Sequence, residues 1–213
     1  MSNEEDKHRQ SVRLKGFDYA YRGFFFVTMC THDKKPTLGK IINYESQLSD
    51  IGRVVEKCWR EIPNHFSNVC LDEWVIMPNH LHEIVVIRFP LPREKQGTTC
   101  RAPTNAETIY EKFGRPVAGS LPTIIRSFKS AVTKRANELG LTDGRTVWQR
   151  NYFEHVIRTE ESLHKIRNYI WENPIHWWSD EYNRGSEVLG ARHAVPSYVA
   201  VTNEDTCRSV QLV

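Results

Sequence analysis

Short apolar runs alternate with segments of helical periodicity along the first 180 residues of the chain. Four runs rich in β-branched and aromatic residues predict strands, at 24–31, 69–77, 80–87 and 147–157. Only the dipeptide Pro78-Asn79 separates the second run from the third. So short a break between two strands predicts an antiparallel hairpin.

Three further segments carry apolar side chains three and four positions apart, which predicts amphipathic helices. They cover residues 49–62, 120–139 and 159–173. Ser49, Ser120 and Thr159 are N-cap candidates, while Pro63, Gly140 and Pro174 are expected to end the helices.

The predicted order of elements is β-α-β-β-α-β-α. This order predicts an α+β fold: a ferredoxin-like antiparallel sheet with helices on one face, plus a C-terminal helix that bears Tyr169. We assign this domain to residues 13–183, with a variable, proline-containing insertion at about 89–119. Residues 1–12 are expected to be a charged N-terminal tail, and residues 184–213 a polar C-terminal tail.

Composition narrows the class of protein only slightly. Of the 213 residues, 39% are hydrophobic and 26% charged, an ordinary globular balance, and the net charge of +3 permits a nucleic-acid partner without requiring one. No apolar run is long enough for a bilayer and the first ten residues are polar, so we expect a cytoplasmic protein with no membrane partner. The five cysteines include no CxxC pair, which gives no support to a cysteine-based zinc site.

The histidine pair His80 and His82 is the sharpest local signal of chemistry. Side chains at i and i+2 of a strand point to the same face, so both imidazoles can share one divalent ion, with Leu81 on the other face. Taken alone, HxH is a weak pattern, and two solvated histidines at a turn would look the same.

Tyr169 and Asn173 provide the second signal. They are four residues apart on the third predicted helix, so their side chains lie above one another, beside the apolar stripe of that helix. An ordinary half-buried tyrosine and an ordinary helix-ending asparagine are the alternatives that this spacing leaves open.

Four motifs in a fixed order carry a family resemblance. They are PNHLH between two strands, FKSAVTKR at 128–135, VWQRNYFEHVIR at 147–158 and YIWENP at 169–174. Together they resemble the REP-associated tyrosine transposases, which are relatives of the single-tyrosine HUH transposases of small insertion sequences. The resemblance covers residues 13–178, with 89–119 as a variable insertion.

The resemblance implies that His80 and His82 bind a metal and that Tyr169 is the nucleophile that cleaves DNA. The implied product is a 5′-phosphotyrosine with a free 3′-OH. Asn173 replaces the glutamine with which insertion-sequence relatives complete the metal site, so it is the implied third ligand. Oxygen ligands and a phosphate favour Mg²⁺ or Mn²⁺, and Lys165, one turn before Tyr169, is a candidate to ease its deprotonation.

The implied partner is single-stranded or hairpin DNA. Candidate contacts are Arg126, Lys129, Lys134 and Arg135 on the second helix, Arg150 and Asn151 (with Tyr152) on the fourth strand, and Arg13, Lys15 and Arg22 near the N-terminus. For the helix charges, a solvated surface is the alternative. Insertion-sequence relatives are dimers that exchange their tyrosine helices, whereas REP-associated relatives resemble proteins that complete the site with the tyrosine helix of their own chain. The resemblance therefore favours a monomer over a homodimer.

Three other functions remain open at this point. The chain can be a non-catalytic module that binds DNA hairpins and regulates them, although both histidines and the tyrosine are present. It can also be a replication initiator or relaxase of the wider HUH group, which are usually longer. A metalloprotein unrelated to nucleic acids would leave the tyrosine helix unexplained.

Overall fold

The computed structural model describes residues 17–90 and 117–183. In chain order its elements are β1 (Gly23–Cys30), β2 (Gly39–Ile42), β3 (Glu45–Leu48), α1 (Asp50–Arg60), α2 (Ile62–His65), β4 (Val69–Ile76), β5 (His80–Ile87), α3 (Leu121–Glu138), β6 (Phe153–Ile157) and α4 (Glu160–Glu172). The expectations for both terminal tails, for most of the insertion, and for Arg13 and Lys15 concern residues outside these ranges. No helix within the described ranges is long and apolar enough to cross a membrane.

The main sheet has four antiparallel strands in the order β4-β5-β1-β6. With α1 between β1 and β4, and α3 between β5 and β6, the core connectivity is β-α-β-β-α-β. The predicted α+β, ferredoxin-like antiparallel fold is therefore confirmed.

The two faces of the sheet are covered by different helices. Phe25, Val27 and Met29 of β1 pack with the apolar stripes of α1 and α3. Phe24 and Phe26, which point the other way, pack with apolar residues of α4. Because both faces are covered, β1 and β5 have near-continuous apolar sequences instead of a clean alternation.

The helix ends follow local rules, with two departures from prediction. Ser49 caps α1 by accepting a hydrogen bond from the Gly52 amide, and Thr159 caps α4 from the Ser162 amide. Ser120 stands at the N-cap of α3, but its hydroxyl donates to the Val117 carbonyl instead of accepting from the helix. The expectation that Pro63 ends the first helix is wrong, because α1 ends at Arg60 and Pro63 lies in the first turn of the separate helix α2.

The hairpin of β2 and β3 was not predicted. Its strands have four residues each, and the sequence of β3 is mostly polar, so neither shows a clear strand pattern. Asn43 and Tyr44 connect them with φ angles of 51° and 65°, the left-handed values of a tight hairpin turn.

The prediction of a strand over 147–157 is wrong for its first half, because β6 begins only at Phe153. Trp148 forms a single bridge with Thr31, and the chain then turns around the side chain of Lys129. The Lys129 ammonium donates to the carbonyls of Gln149 (2.7 Å) and Asn151 (2.9 Å), which removes those carbonyls from any sheet ladder. Arg150 and Asn151 therefore lie in a bent loop and not on a strand.

A buried ion pair joins α4 to the sheet. The strand β4 has a bulge between Leu71 and Trp74, and Asp72 within it is 1% exposed. The Arg167 guanidinium, on α4, donates two hydrogen bonds to the Asp72 carboxylate, at 2.7 Å from Nε and 2.6 Å from Nη2. This two-point contact sets the position of the helix that carries Tyr169.

Candidate active site

His80 and His82 begin β5, immediately after the two-residue turn at Pro78 and Asn79. The Met77 amide donates to the His80 carbonyl (2.8 Å), which closes this turn. The two imidazoles point to the α4 side of the sheet with their ring centroids 4.4 Å apart, and both residues are almost fully buried. The structure thus places the pair side by side, as the strand spacing predicts.

The hydrogen bonds of Asn79 determine which nitrogen of His80 is available. The Asn79 amide nitrogen donates to the carbonyls of Lys34 (3.1 Å) and Tyr182 (2.7 Å), so its carbonyl oxygen faces His80 Nδ1, 2.8 Å away. That oxygen can only accept, which assigns the proton to Nδ1 and leaves a lone pair on Nε2. The His80 Nε2 atom has no hydrogen-bond partner among the described residues.

His82 lies between Thr28 and Tyr169. Its Nδ1 is 2.8 Å from the Thr28 hydroxyl, and its Nε2 is 3.2 Å from the Tyr169 hydroxyl. The Phe26 ring is stacked on the imidazole at 5.5 Å and holds it in place. Burial lowers the pKa of His82 to about 3, so this imidazole is neutral at physiological pH.

The pKa of His80 is also lowered well below its usual value, first by burial and second by the neighbouring His82. A contact with the Asn173 side chain opposes this shift. Both histidines are therefore uncharged over the physiological range, which is the form that binds metal ions.

Tyr169 lies on the exposed side of the pair. The residue is 45% exposed, and its ring packs edge-on against Phe26 with centroids 6.1 Å apart. Partial burial raises the pKa of its phenol, and the charge of Asp180 raises it further. The expected role of Lys165 is not supported, because its ammonium pairs with Glu161 (2.6 Å) on the exposed side of α4.

Asn173, the predicted third ligand, lies beside both groups. It forms the C-cap of α4, is 3% exposed, and its Oδ1 makes no hydrogen bond within the described part of the chain. Its side chain lies close enough to both groups to oppose the lowered pKa of His80 and the raised pKa of Tyr169. A buried amide oxygen without a partner is costly unless a ligand satisfies it.

Asp180 is a further candidate ligand that the sequence did not reveal. One carboxylate oxygen is 3.8 Å from His80 Nε2, and the ligand atoms of His80, His82 and Asp180 lie within 4.8 Å of one another. Residues 174–183 bring it there by folding back over the end of β5. Trp177 is buried in this segment, and the Tyr182 ring packs on His80 at 4.7 Å.

This donor set can hold a divalent metal ion. Two neutral imidazoles, a carboxylate and a buried amide oxygen converge, and two of their atoms, His80 Nε2 and Asn173 Oδ1, are buried without partners among the described residues. A mixed nitrogen and oxygen set without thiolates suits Mg²⁺, Mn²⁺ or similar ions, although the residues alone do not select one. The Lys34 ammonium, 4.6 Å above the Tyr182 ring, places a positive charge next to this donor set.

The predicted DNA contacts on α3 lie on the opposite side of the sheet from this site. Arg126 is exposed, and Lys134 is exposed with Glu138 3.8 Å away. Arg135 pairs with Glu61 of the α1–α2 junction at 2.9 Å.

Lys129 is mostly buried beneath the sheet, where burial lowers its pKa to about 8. The fully buried Glu83 lies on the same side, and burial raises the pKa of its carboxyl well above the usual value.

Arg150 and Asn151 are exposed in the loop that precedes β6. That loop follows the bridge between Trp148 and Thr31, and Thr31 comes directly after the end of β1 that carries Thr28. Of the predicted DNA contacts that the structure describes, these two lie at the same end of the sheet as the histidine pair.

Comparison with solved structures gives distant likenesses. A REP-associated tyrosine transposase bound to a REP hairpin is 15% identical with a TM-score of 0.49, covering 79% of this chain and 74% of that one. A proposed transposase from Deinococcus radiodurans R1 is 13% identical with a TM-score of 0.40, covering 76% of this chain and 97% of that one.

Sequence comparison gives a nearer relative. No protein-family model matches the chain. A protein of Haemophilus influenzae, described as uncharacterized, is 42% identical over 176 residues, which make up 82% of this chain and 92% of that protein. With that identity across most of both chains, the chain belongs to the same protein family as the Haemophilus influenzae protein.

Proposed function

We propose that the protein is a metal-dependent single-strand DNA transposase that cleaves and rejoins DNA through a 5′-phosphotyrosine, in the cytoplasm and at hairpin-forming repeats. The observation that carries the proposal is the 3.2 Å contact between the Tyr169 hydroxyl and one of two adjacent, buried, neutral imidazoles. The four motifs that resemble REP-associated tyrosine transposases support the same reaction, because two of them supply the histidines, Tyr169 and Asn173.

Tyr169 is the nucleophile in this proposal. Its oxygen attacks the scissile phosphorus, a P–O bond to Tyr169 forms, and the bond to the 3′ oxygen of the leaving strand breaks. The raised pKa of the phenol means that the proton must be taken from Tyr169 during the attack. His82 Nε2, 3.2 Å from this hydroxyl, would bind the metal, and the pKa of His82 is about 3, so His82 is not the base. Solvent reaches the half-exposed phenol, takes its proton and protonates the leaving 3′ oxygen, and a metal held beside the phenol would favour its ionisation.

His80, His82, Asp180 and Asn173 are the residues that would hold the metal, Mg²⁺ or Mn²⁺ in our proposal. Such an ion supplies charge neutralisation for the phosphate oxygens in the transition state. The protein's own part is to keep both imidazoles neutral and oriented, which Asn79, Thr28 and Phe26 do through the contacts described above.

Rejoining needs no external energy source in this scheme. The phosphotyrosine conserves the phosphodiester bond energy, so a 3′-OH from another strand can attack it and release Tyr169. Since Tyr169 reaches His82 within one chain, a single copy contains the whole candidate site, which supports the proposal of a monomer.

DNA contacts are proposed for the predicted basic and amide residues. Arg150 and Asn151 are exposed at the site end of the sheet and are proposed to bind the strand being cut. Arg126 and Lys134, exposed on α3, are proposed to bind DNA that extends around the protein. We propose the same role for Lys129 and Arg135, although Lys129 also bonds the Gln149 carbonyl and Arg135 also pairs with Glu61. Arg13 and Lys15 remain proposed phosphate contacts.

Cleavage of a labelled hairpin-bearing single strand tests the proposed function. We expect wild-type protein with Mn²⁺ or Mg²⁺ to give a shorter labelled product and a protein–DNA species that survives a denaturing gel. Adding a chelator should remove both products, because the transition-state charge is then left unneutralised. Tight binding to hairpin-forming strands taken from the DNA that flanks the gene, with no cleavage under either metal, would instead identify a hairpin-binding module.

Asp180→Asn is expected to weaken Mn²⁺ binding more than Asn173→Ala does. Asp180 supplies the only carboxylate in the candidate ligand set of the described residues, whereas Asn173 supplies a neutral oxygen. Losing one ligand or its charge should raise the Mn²⁺ dissociation constant by roughly tenfold or more. Isothermal titration calorimetry measures these dissociation constants, and we expect His80→Ala to show no measurable Mn²⁺ binding.

The exposed Asp143→Asn serves as the matched control, since Asp143 lies in the turn after α3, away from the histidines. Equal Mn²⁺ affinity for Asp180→Asn and Asp143→Asn would remove Asp180 from the ligand set.

A further inference from the structure

An exposed phenylalanine lies beside the candidate active site without a role in the scheme above. Phe153, the first residue of β6, is 56% exposed, far more than the other aromatic residues of the sheet that face α4. Exposed single apolar residues are common on protein surfaces, so exposure alone says little. The position of Phe153 in the sheet is what distinguishes it.

The strand register places Phe153 in the same row as the metal-site histidine. Phe153 pairs with Thr28, and Thr28 pairs with His82, so the three side chains follow one another across the face that α4 covers. Two strand spacings separate Phe153 from His82, which is about 10 Å. The Thr28 side chain between them is buried and bonded to His82.

Phe153 and Tyr169 also share a rigid support. The buried Phe26 ring contacts the Phe153 ring at 6.3 Å and the Tyr169 ring at 6.1 Å, both edge-on. Two half-exposed aromatic rings, Phe153 and Tyr169, therefore pack against the same buried ring.

The surroundings of Phe153 carry groups that suit single-stranded DNA. Among the strands that the structure describes, β6 is one of the two edge strands of the main sheet, so none of them pairs with its outer side. The preceding loop carries the exposed Arg150 and Asn151, and Lys129 fixes it through two of its carbonyls. An aromatic face next to cationic and amide side chains is the combination that binds single-stranded nucleic acid.

We propose that the Phe153 ring stacks on a base of the bound single strand, next to the phosphate that Tyr169 attacks. This inference rests on the proposed function, and it assigns Phe153 as a positioning residue. Stacking there would hold the nucleotide beside the scissile phosphate while the backbone reaches the metal site. It would discriminate single strands from duplexes, because a paired base has no free face to offer.

Binding of two fluorescein-labelled probes tests the stacking directly. One probe is oligo(dT) of about twelve nucleotides, and the other is the same length of abasic backbone. Phe153→Ala should weaken binding of oligo(dT) by roughly five- to a hundredfold and leave binding of the abasic probe unchanged. Phe153→Leu keeps an apolar contact with Phe26 but has no aromatic face, so it should lose as much as Phe153→Ala, while Phe153→Trp should retain binding.

Tyr21→Ala is the matched control, because Tyr21 is 62% exposed but lies before the opposite end of β1. Two results would overturn the stacking role: wild-type affinity of Phe153→Ala for oligo(dT), or an equal fall in its affinity for both probes. The proposed function is tested separately by the cleavage assay. A wild type that binds neither probe and cleaves no hairpin strand would overturn both proposals.

Discussion

Tyr169→Phe is expected to abolish DNA cleavage, by roughly 10⁴-fold or more, while binding of DNA stays within a few-fold of wild type. The substitution removes the only atom that can form the phosphotyrosine and keeps the ring that packs on Phe26. The hydroxyl makes one hydrogen bond, to His82, from a side chain that is nearly half exposed, so stability should change by less than about 1 kcal/mol. Single-turnover cleavage of a hairpin-bearing strand measures the first effect, and anisotropy measures the second.

Tyr182→Phe is the control for this prediction. Among the described residues, Tyr182 is the other tyrosine next to the histidines, with its ring 4.7 Å from that of His80, and burial raises the pKa of its phenol. We expect Tyr182→Phe to cleave. Cleavage that survives Tyr169→Phe and disappears in Tyr182→Phe, or in Tyr152→Phe, would move the nucleophile to that residue.

Arg167→Leu is expected to lower the free energy of unfolding by about 3–5 kcal/mol. The substitution leaves the Asp72 carboxylate, which is fully buried, without the two hydrogen bonds that neutralise it. A buried charge without a partner is far more costly than the pair itself is worth, so the double variant Asp72→Leu with Arg167→Leu should recover part of the loss. Urea unfolding followed by circular dichroism gives these values.

Lys165→Leu, on the same helix, provides the comparison. Its pair with Glu161 is exposed on both sides, so it should change stability by less than about 0.5 kcal/mol. An Arg167→Leu variant as stable as Lys165→Leu would show that the buried pair does not hold α4 on the sheet.

The parts of the fold that could be predicted are those whose signal is local in sequence. The apolar runs of β1, β4 and β5 and the stripes of α1, α3 and α4 depend on periodicity, and their order is enough for the ferredoxin-like topology. The geometry of His80 and His82 follows from a two-residue repeat within one strand. The i, i+4 spacing of Tyr169 and Asn173 likewise follows from one helix.

The parts that were missed depend on contacts between distant segments. The first half of the fourth predicted strand has a strand-like pattern, but Lys129, twenty residues earlier, holds its carbonyls in a loop. Asp180 follows the helix-ending Pro174 in a segment without periodicity, and only the folding of Trp177 and Tyr182 against the end of β5 brings its carboxylate to His80. No spacing rule relates residues 80 and 180.

The place of Phe153 in the row of His82 was not predicted for the same reason. Phe153 belongs to a motif that carried the family resemblance, yet its place in that row is a consequence of strand register, which joins residues 153, 28 and 82. Register across three strands is decided by the packed sheet and not by any one of their sequences.

Mass spectrometry of the covalent species tests the central claim most directly. After cleavage of a hairpin-bearing strand, the protein–DNA species is digested with nuclease and trypsin, and the peptide of residues 168–184, which contains both Tyr169 and Tyr182, is fragmented. We predict a nucleotide 5′-phosphate on Tyr169. A nucleotide on Tyr182 or elsewhere in the chain, or a cleaved strand with no nucleotide on any residue, would contradict the account.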